Sequence, residues 1–109
     1  PIPQRMLPTV FRQVDFVVDQ IIMGCYGNTS IEAMLCGAVT LGQKRYTEVA
    51  DAPIVEVEAG TVAAALERLI ADPTLCHHIS ADSIAYANRV HSPQAVGAVA
   101  KSVYEMVLN

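Results

Sequence analysis

DQIIMGCYGNTSIEAMLCG, Asp19 to Gly37, follows a short β-branched run and decides the fold. That run, Phe16-Val17-Val18 between Asp15 and Asp19, is continuously apolar, as a parallel strand covered on both faces would be. Gly24 and Gly27 then permit positive φ and close approach of another molecule, because neither carries a Cβ. Asn28 or Thr29 is placed to cap a helix running to Cys36, and Gly37 can end it in the left-handed conformation of a C-cap. Strand, glycine turn and capped helix in this order make a ligand cradle. The helix N–H groups and positive dipole end suit a phosphate, and Glu32, expected in the first turn, offers a carboxylate to hydroxyl groups. The chemistry falls at the carboxyl end of the strand, where open parallel sheets bind ligands.

Working outward, Ala38 to Leu41 is predicted as the second strand and Ile54 to Val57 as the third. The polar, turn-rich stretch Gly42 to Pro53 follows the second strand, so it should share one mouth with Gly24 to Thr29. Upstream, Pro1 to Leu7 reads as an extended lead-in and Pro8 to Val14 as a short helix with proline in its first turn. Downstream, Thr61 should cap a helix that buries Val62, Ala65, Leu66, Leu69 and Ile70, with Asp72-Pro73 as its stop. A second helix follows from Pro73 to Val90, with Leu75, Ile79, Tyr86 and Val90 near one face. Ser92-Pro93 opens a third, whose Val96, Val99, Ala100, Val103, Tyr104 and Val107 form a stripe expected to be core. Strand and helix alternate and two helices close the chain, with no repeat or second domain boundary, so the class is α/β.

Composition excludes several functions. The 109 residues, 52% apolar and 17% charged, suit one folded domain rather than a disordered chain. A net charge of −4 with seven scattered Lys and Arg argues against nucleic acid or an anionic membrane as partner. No run reaches the roughly 18 apolar residues of a membrane span, and no signal-peptide pattern is present, so the expected location is cytoplasmic. Cys25, Cys36 and Cys76 lack C-x-x-C spacing, which points away from zinc and from a disulfide framework. His77, His78 and His91 lack ligand spacing and are expected at the surface. Cys25 lies near a helix N-terminus but has no adjacent general base, so it reads as a loop residue rather than a nucleophile. Gly24-x-x-Gly27 is neither a Walker A sequence nor G-x-G-x-x-G, and Thr29-Ser30-Ile31-Glu32 read locally is a capping box. The chain begins at Pro1 without an initiator Met, which suggests a fragment or a processed piece.

Gly24-Cys25-Tyr26-Gly27, four residues, then Glu32-Ala33-Met34-Leu35-Cys36-Gly37 resembles the donor-binding core of retaining glycosyltransferases of GT-B architecture, in the group-1 (family four) type. That family shows Glu-Gly-Phe-Gly, four mostly apolar residues, then Glu-Ala-Met-Ala-Cys-Gly and a strand. Asp15 to Val18, Ala38 to Leu41, Pro53-Ile54-Val55 and the tail with Tyr86, His91-Ser92-Pro93 and Tyr104 extend the resemblance over most of the chain. The resemblance implies that Glu32 binds the ribose hydroxyls of a sugar nucleotide and that the N–H groups of Gly27, Asn28 and Thr29 face its diphosphate. Gly24 and Tyr26, within the same turn, are expected among the donor-binding residues. The family's first Glu falls on Gly24, a departure that leaves part of the sugar contact to Asp19 or Gln20.

On this resemblance the chain is the C-terminal part of a sugar-nucleotide-binding domain in a partial doubly wound, Rossmann-like sheet. The N-terminal acceptor domain and the diphosphate-holding basic residues lie upstream, outside it. The intact protein would transfer a sugar from a nucleotide-diphosphate donor with retention, using no metal or cofactor, and this chain alone would be inactive. In a sheet of order 3-2-1-4-5-6 the first strand here would be the fourth, its usual partner missing, so the exposed edge favours self-association. The alternatives are a stand-alone nucleotide- or phosphate-binding regulatory module and, more weakly, a helical interaction domain with no ligand.

Overall fold

The computed structural model describes residues 1–108. Three strands, β1 (Phe16–Val18), β2 (Val39–Gly42) and β3 (Val55–Glu56), form one parallel sheet in that spatial order. Phe16 lies opposite Val39, Val18 opposite Leu41, and Leu41 opposite Val55. The chain is therefore α/β with a small parallel sheet and C-terminal helices. β2 sits one residue later than its sequence suggested, and β3 is shorter, although the Val57 N–H still reaches the Gly42 carbonyl at 2.9 Å.

Of the helices, α1 (Leu7–Phe11) follows a 3₁₀ turn at Gln4–Met6 and stops short of the expected Val14. The Gln13 N–H turns to the Val10 carbonyl at 3.0 Å, a tight 3₁₀ closure of the last turn. α2 (Asn28–Leu35) begins one residue before its expected start. It ends in a Schellman motif: Gly37 has φ +81°, its N–H bonds the Met34 carbonyl at 3.0 Å, and the Ala38 N–H bonds the Ala33 carbonyl at 3.1 Å. Gly37 also packs closely on α4 (Pro73–His91), where Ser80 Oγ donates to its carbonyl at 2.7 Å.

α3 (Val62–Ile70) starts after Thr61 as expected, but the Thr61 hydroxyl bonds Glu58 rather than the helix. Asp72 does cap α4, its Oδ1 accepting the Leu75 N–H at 3.1 Å. Ser92 opens α5 (Pro93–Leu108) in the same way, its Oγ accepting the Ala95 N–H at 3.0 Å.

Successive strand residues point to opposite faces, and the core divides accordingly. Ile54 joins Met34, Ala52, Tyr86 and Ala87, with Tyr26, Ile31 and Val90 packed around them. Val39, Leu41, Val55 and Val57 join Ala65 and Leu69 of α3, with Ile79 of α4 alongside. Full burial of a side chain such as Leu41 or Met34 contributes about 1.5–3 kcal/mol. Three expectations fail here. Ile70 and Leu75 are exposed, because the buried arcs of α3 and α4 are narrower than the sequence stripe. The stripe of α5 is not core either: no residue of that helix is buried, and Val99, Tyr104 and Val107 are largely open.

Candidate functional site

At the carboxyl end of β1, the Asp19 N–H extends the ladder to the Leu41 carbonyl at 2.9 Å, which leaves its side chain to organise the turn. Oδ2 accepts from the Gly27 N–H at 2.9 Å and from the Ser30 hydroxyl at 2.5 Å, and Oδ1 accepts from the Gln20 N–H at 2.7 Å. Burial pushes the Asp19 carboxyl up, but the hydrogen bonds from Ser30, Gly27 and Gln20 outweigh it and hold the group below its ordinary 3.8. Gln20 fastens the rest of the turn. Its Oε1 accepts from the N–H groups of Ile22 and Met23, at 3.0 and 2.9 Å, and its Nε2 donates to the Cys25 carbonyl.

These bonds revise the expected capping. Gly27, not Asn28 or Thr29, is the N-cap residue; its φ of −109° needs no glycine, and no side chain of its own caps the helix. Asp19 supplies the cap from eight residues upstream. Because α2 begins at Asn28, Glu32 lies past the first turn, and the capping box read in Thr29 to Glu32 does not form. Glu32 is half-buried, and among the described residues no donor bonds its carboxylate. Asn28 and Glu32, four apart, share one face of the helix. The Gly27 N–H is taken by Asp19, so the donors left for an incoming anion at this end are the N–H groups of Asn28 and Thr29, which have no intrahelical partner.

Gly24 is the glycine that the turn requires, with φ +79°. Its N–H bonds Gln43 Oε1 at 2.8 Å, and its carbonyl accepts from the Arg45 N–H at 2.9 Å. The two loops thus meet at one mouth, joined at Gly24 and by the Tyr46 hydroxyl, which donates to the Met23 carbonyl at 3.5 Å. Gln43 is buried, as only a bonded amide can be without large cost.

Sequence reasoning passed over Lys44 and Arg45, a basic pair that follows β2 and Gln43 in the loop already assigned to this mouth. Lys44 Nζ holds the Ala52 carbonyl at 2.8 Å, and Arg45 pairs with Glu58 at 3.0 Å in a solvent-exposed bridge. Arg45, Glu56, Val57, Glu58 and Thr61 enclose a hollow of about 260 Å³ beside them. A larger hollow, about 490 Å³, lies at the amino ends of β1 and β2 against Arg12, Asp15 and His77, at the opposite end of the sheet from these loops. Asn28, Thr29 and Glu32 line neither; they form an open ledge.

Tyr26 points away from that ledge, its hydroxyl 2.8 Å from both the Tyr86 hydroxyl and Nε2 of His91. His91, expected at the surface, is half-buried in this cluster. Cys25 is a free, half-buried thiol. Among the described residues no group of three or more His, Cys, Asp or Glu is arranged to hold a metal ion, and no helix is long and apolar enough to cross a membrane. The chain matches no protein-family model, no curated protein and no solved structure.

Proposed function

We propose that this chain is the C-terminal part of the sugar-nucleotide-binding domain of a retaining GT-B glycosyltransferase, within a doubly wound sheet. One observation carries the reading most of the way. In a turn where Asp19 binds Gly27 and Ser30 and Gln20 binds Ile22, Met23 and Cys25, Glu32 and the N–H groups of Asn28 and Thr29 have no bond among the described residues and lie on one end of α2, at the carboxyl edge of a parallel sheet. Glu32 takes the ribose hydroxyls, and the Asn28 and Thr29 N–H groups take the diphosphate. Asp19 and Gln20 act by fixing the turn, and Gly24 supplies its positive φ beneath the side chains of Arg45 and Tyr46. Lys44 and Arg45 stand at the mouth beside Glu56 and Glu58, from which an incoming phosphate would have to draw them.

The intact protein transfers the sugar to an acceptor held by another domain, through positioning and stabilisation of the departing diphosphate. These 109 residues alone are expected to turn over no sugar nucleotide. Titration with UDP, GDP and ADP, followed by the amide signals of the chain, tests the binding role. Saturable shifts at Asn28, Thr29 and Glu32 support it, and shifts absent there with all three nucleotides contradict it.

A further inference from the structure

Tyr26, in the turn leading into α2, is tied to the far end of α4 by hydrogen bonds of 2.8 Å to the Tyr86 hydroxyl and to His91 Nε2. The rings meet edge to face, with centroids 5.7 Å apart for Tyr26 and His91 and 5.8 Å for Tyr86 and His91. Gly27, the next residue, is the N-cap of α2, and His91 is the last residue of α4. The cluster therefore joins the start of α2 to the point where the chain turns into α5. We propose that Tyr26 is a positioning residue held by Tyr86 and His91 in a proton-sensitive latch, which fixes the entry to α2 while His91 is neutral and frees it when His91 takes up a proton.

The hydrogen-bond count explains the switch. With Nε2 unprotonated, the Tyr86 hydroxyl donates to the Tyr26 oxygen and the Tyr26 hydroxyl donates to Nε2, so both hydroxyls have an acceptor. A proton on Nε2 turns that acceptor into a donor. Either Tyr26 reverses and donates to Tyr86, whose hydroxyl loses its acceptor, or Tyr26 accepts from both neighbours and its own hydroxyl loses one. Tyr86 is buried, and among the described residues the Tyr26 hydroxyl is its one hydrogen-bond partner, so the reversed chain leaves a buried donor unmade.

The charged groups on the surrounding elements are paired with one another. Arg89 of α4 stands 5.4 Å from the centre of the Tyr86 ring, its guanidinium 3.4 Å from Asp51 in the segment before β3. Cys25 adjoins Tyr26 in the turn, and Lys101 and Glu105 of α5 pair with each other at 3.8 Å. Burial holds His91 below its ordinary 6.5, and burial together with Tyr86 raises Tyr26 far above the phenol range, so both are neutral at pH 7.

The test needs no nucleotide and so stands apart from the proposed function. The amide signals of Gly27, Asn28 and Thr29 in the 109-residue chain are followed from neutral pH down through the imidazole range. They are expected to move together with the His91 ring signal, with a midpoint below 6.5. In His91→Gln, which keeps an acceptor near the Nε2 position but takes up no proton there, they should hold their neutral-pH positions throughout. In Tyr26→Phe the His91 midpoint should rise and the amides should cease to follow it. Amides that stay flat while His91 titrates, or that titrate unchanged in His91→Gln, overturn the latch.

Discussion

Asp19 Oδ2 lies 2.9 Å from the Gly27 nitrogen, so the helix that opens the candidate site is capped by the residue that follows β1. Sheet, turn and helix are thereby fixed to one another by one carboxylate.

That carboxylate makes stability depend on acid in a defined direction. The folded Asp19 carboxyl sits below 3.8, so the unfolded chain binds more protons in the window beneath that value and stability falls as pH falls through it. Bonds to a charged acceptor contribute about 1.5–3 kcal/mol against about 0.5–1.5 for neutral ones, so Asp19→Asn should cost about 1–2 kcal/mol at pH 7. The gap between the two proteins should be full above 3.8 and shrink below it. Urea unfolding across that range checks this, and a gap that stays constant would assign the loss to packing instead.

Much of this arrangement was legible in the sequence. The β-branched Phe16-Val17-Val18 and the helix stop at Gly37 could be read locally, because each depends on the residue's own conformational preference. The meeting of the two loops followed from chain direction in a parallel sheet. The cap could not be read the same way: Thr29 to Glu32 has the form of a capping box, and only the fold brings a carboxylate from eight residues away to displace it. His91 was expected at the surface for a similar reason, since Tyr86 and Tyr26 lie five and 65 residues away in the chain and only the fold brings the three together. The α5 stripe has correct helical periodicity, but periodicity says nothing of what covers it.

Gly37→Ala should destabilise the chain by about 1–2 kcal/mol, the cost of a left-handed backbone for a residue with a Cβ. Its φ is +81°, and the added methyl would stand 3.1 Å from Ser80 Oγ. Gly60→Ala is the control, because no atom lies within 4 Å of its Cβ position and its φ is outside the left-handed range. A lower urea midpoint for the first variant and an unchanged one for the second is expected; equal midpoints would remove the Schellman motif from the account.

Self-association is expected through β1 or α5. Asp19 and Val39 bond across the β1–β2 pair through the Leu41 and Asp15 carbonyls, so the alternate residues Phe16 and Val18 turn their N–H and C=O groups to the open edge. Val99, Val103 and Val107 of α5 are exposed as well. A specific contact would bury roughly 1,000 Å² or more. Light scattering over a concentration series should give a dimer or larger species that Val18→Lys or Val103→Lys disperses. A monomer throughout would show that neither surface associates.

Glu32 is proposed to grip the ribose of a nucleoside diphosphate, and calorimetry on Glu32→Gln reads that contact alone. Glu32 lies outside the cap and no donor among the described residues bonds its carboxylate, so the variant should fold as the wild type does. Loss of a charge-assisted pair should weaken UDP, GDP or ADP binding by about 1.5–3 kcal/mol, roughly 10- to 150-fold. Affinity unchanged in a folded Glu32→Gln protein would contradict the account.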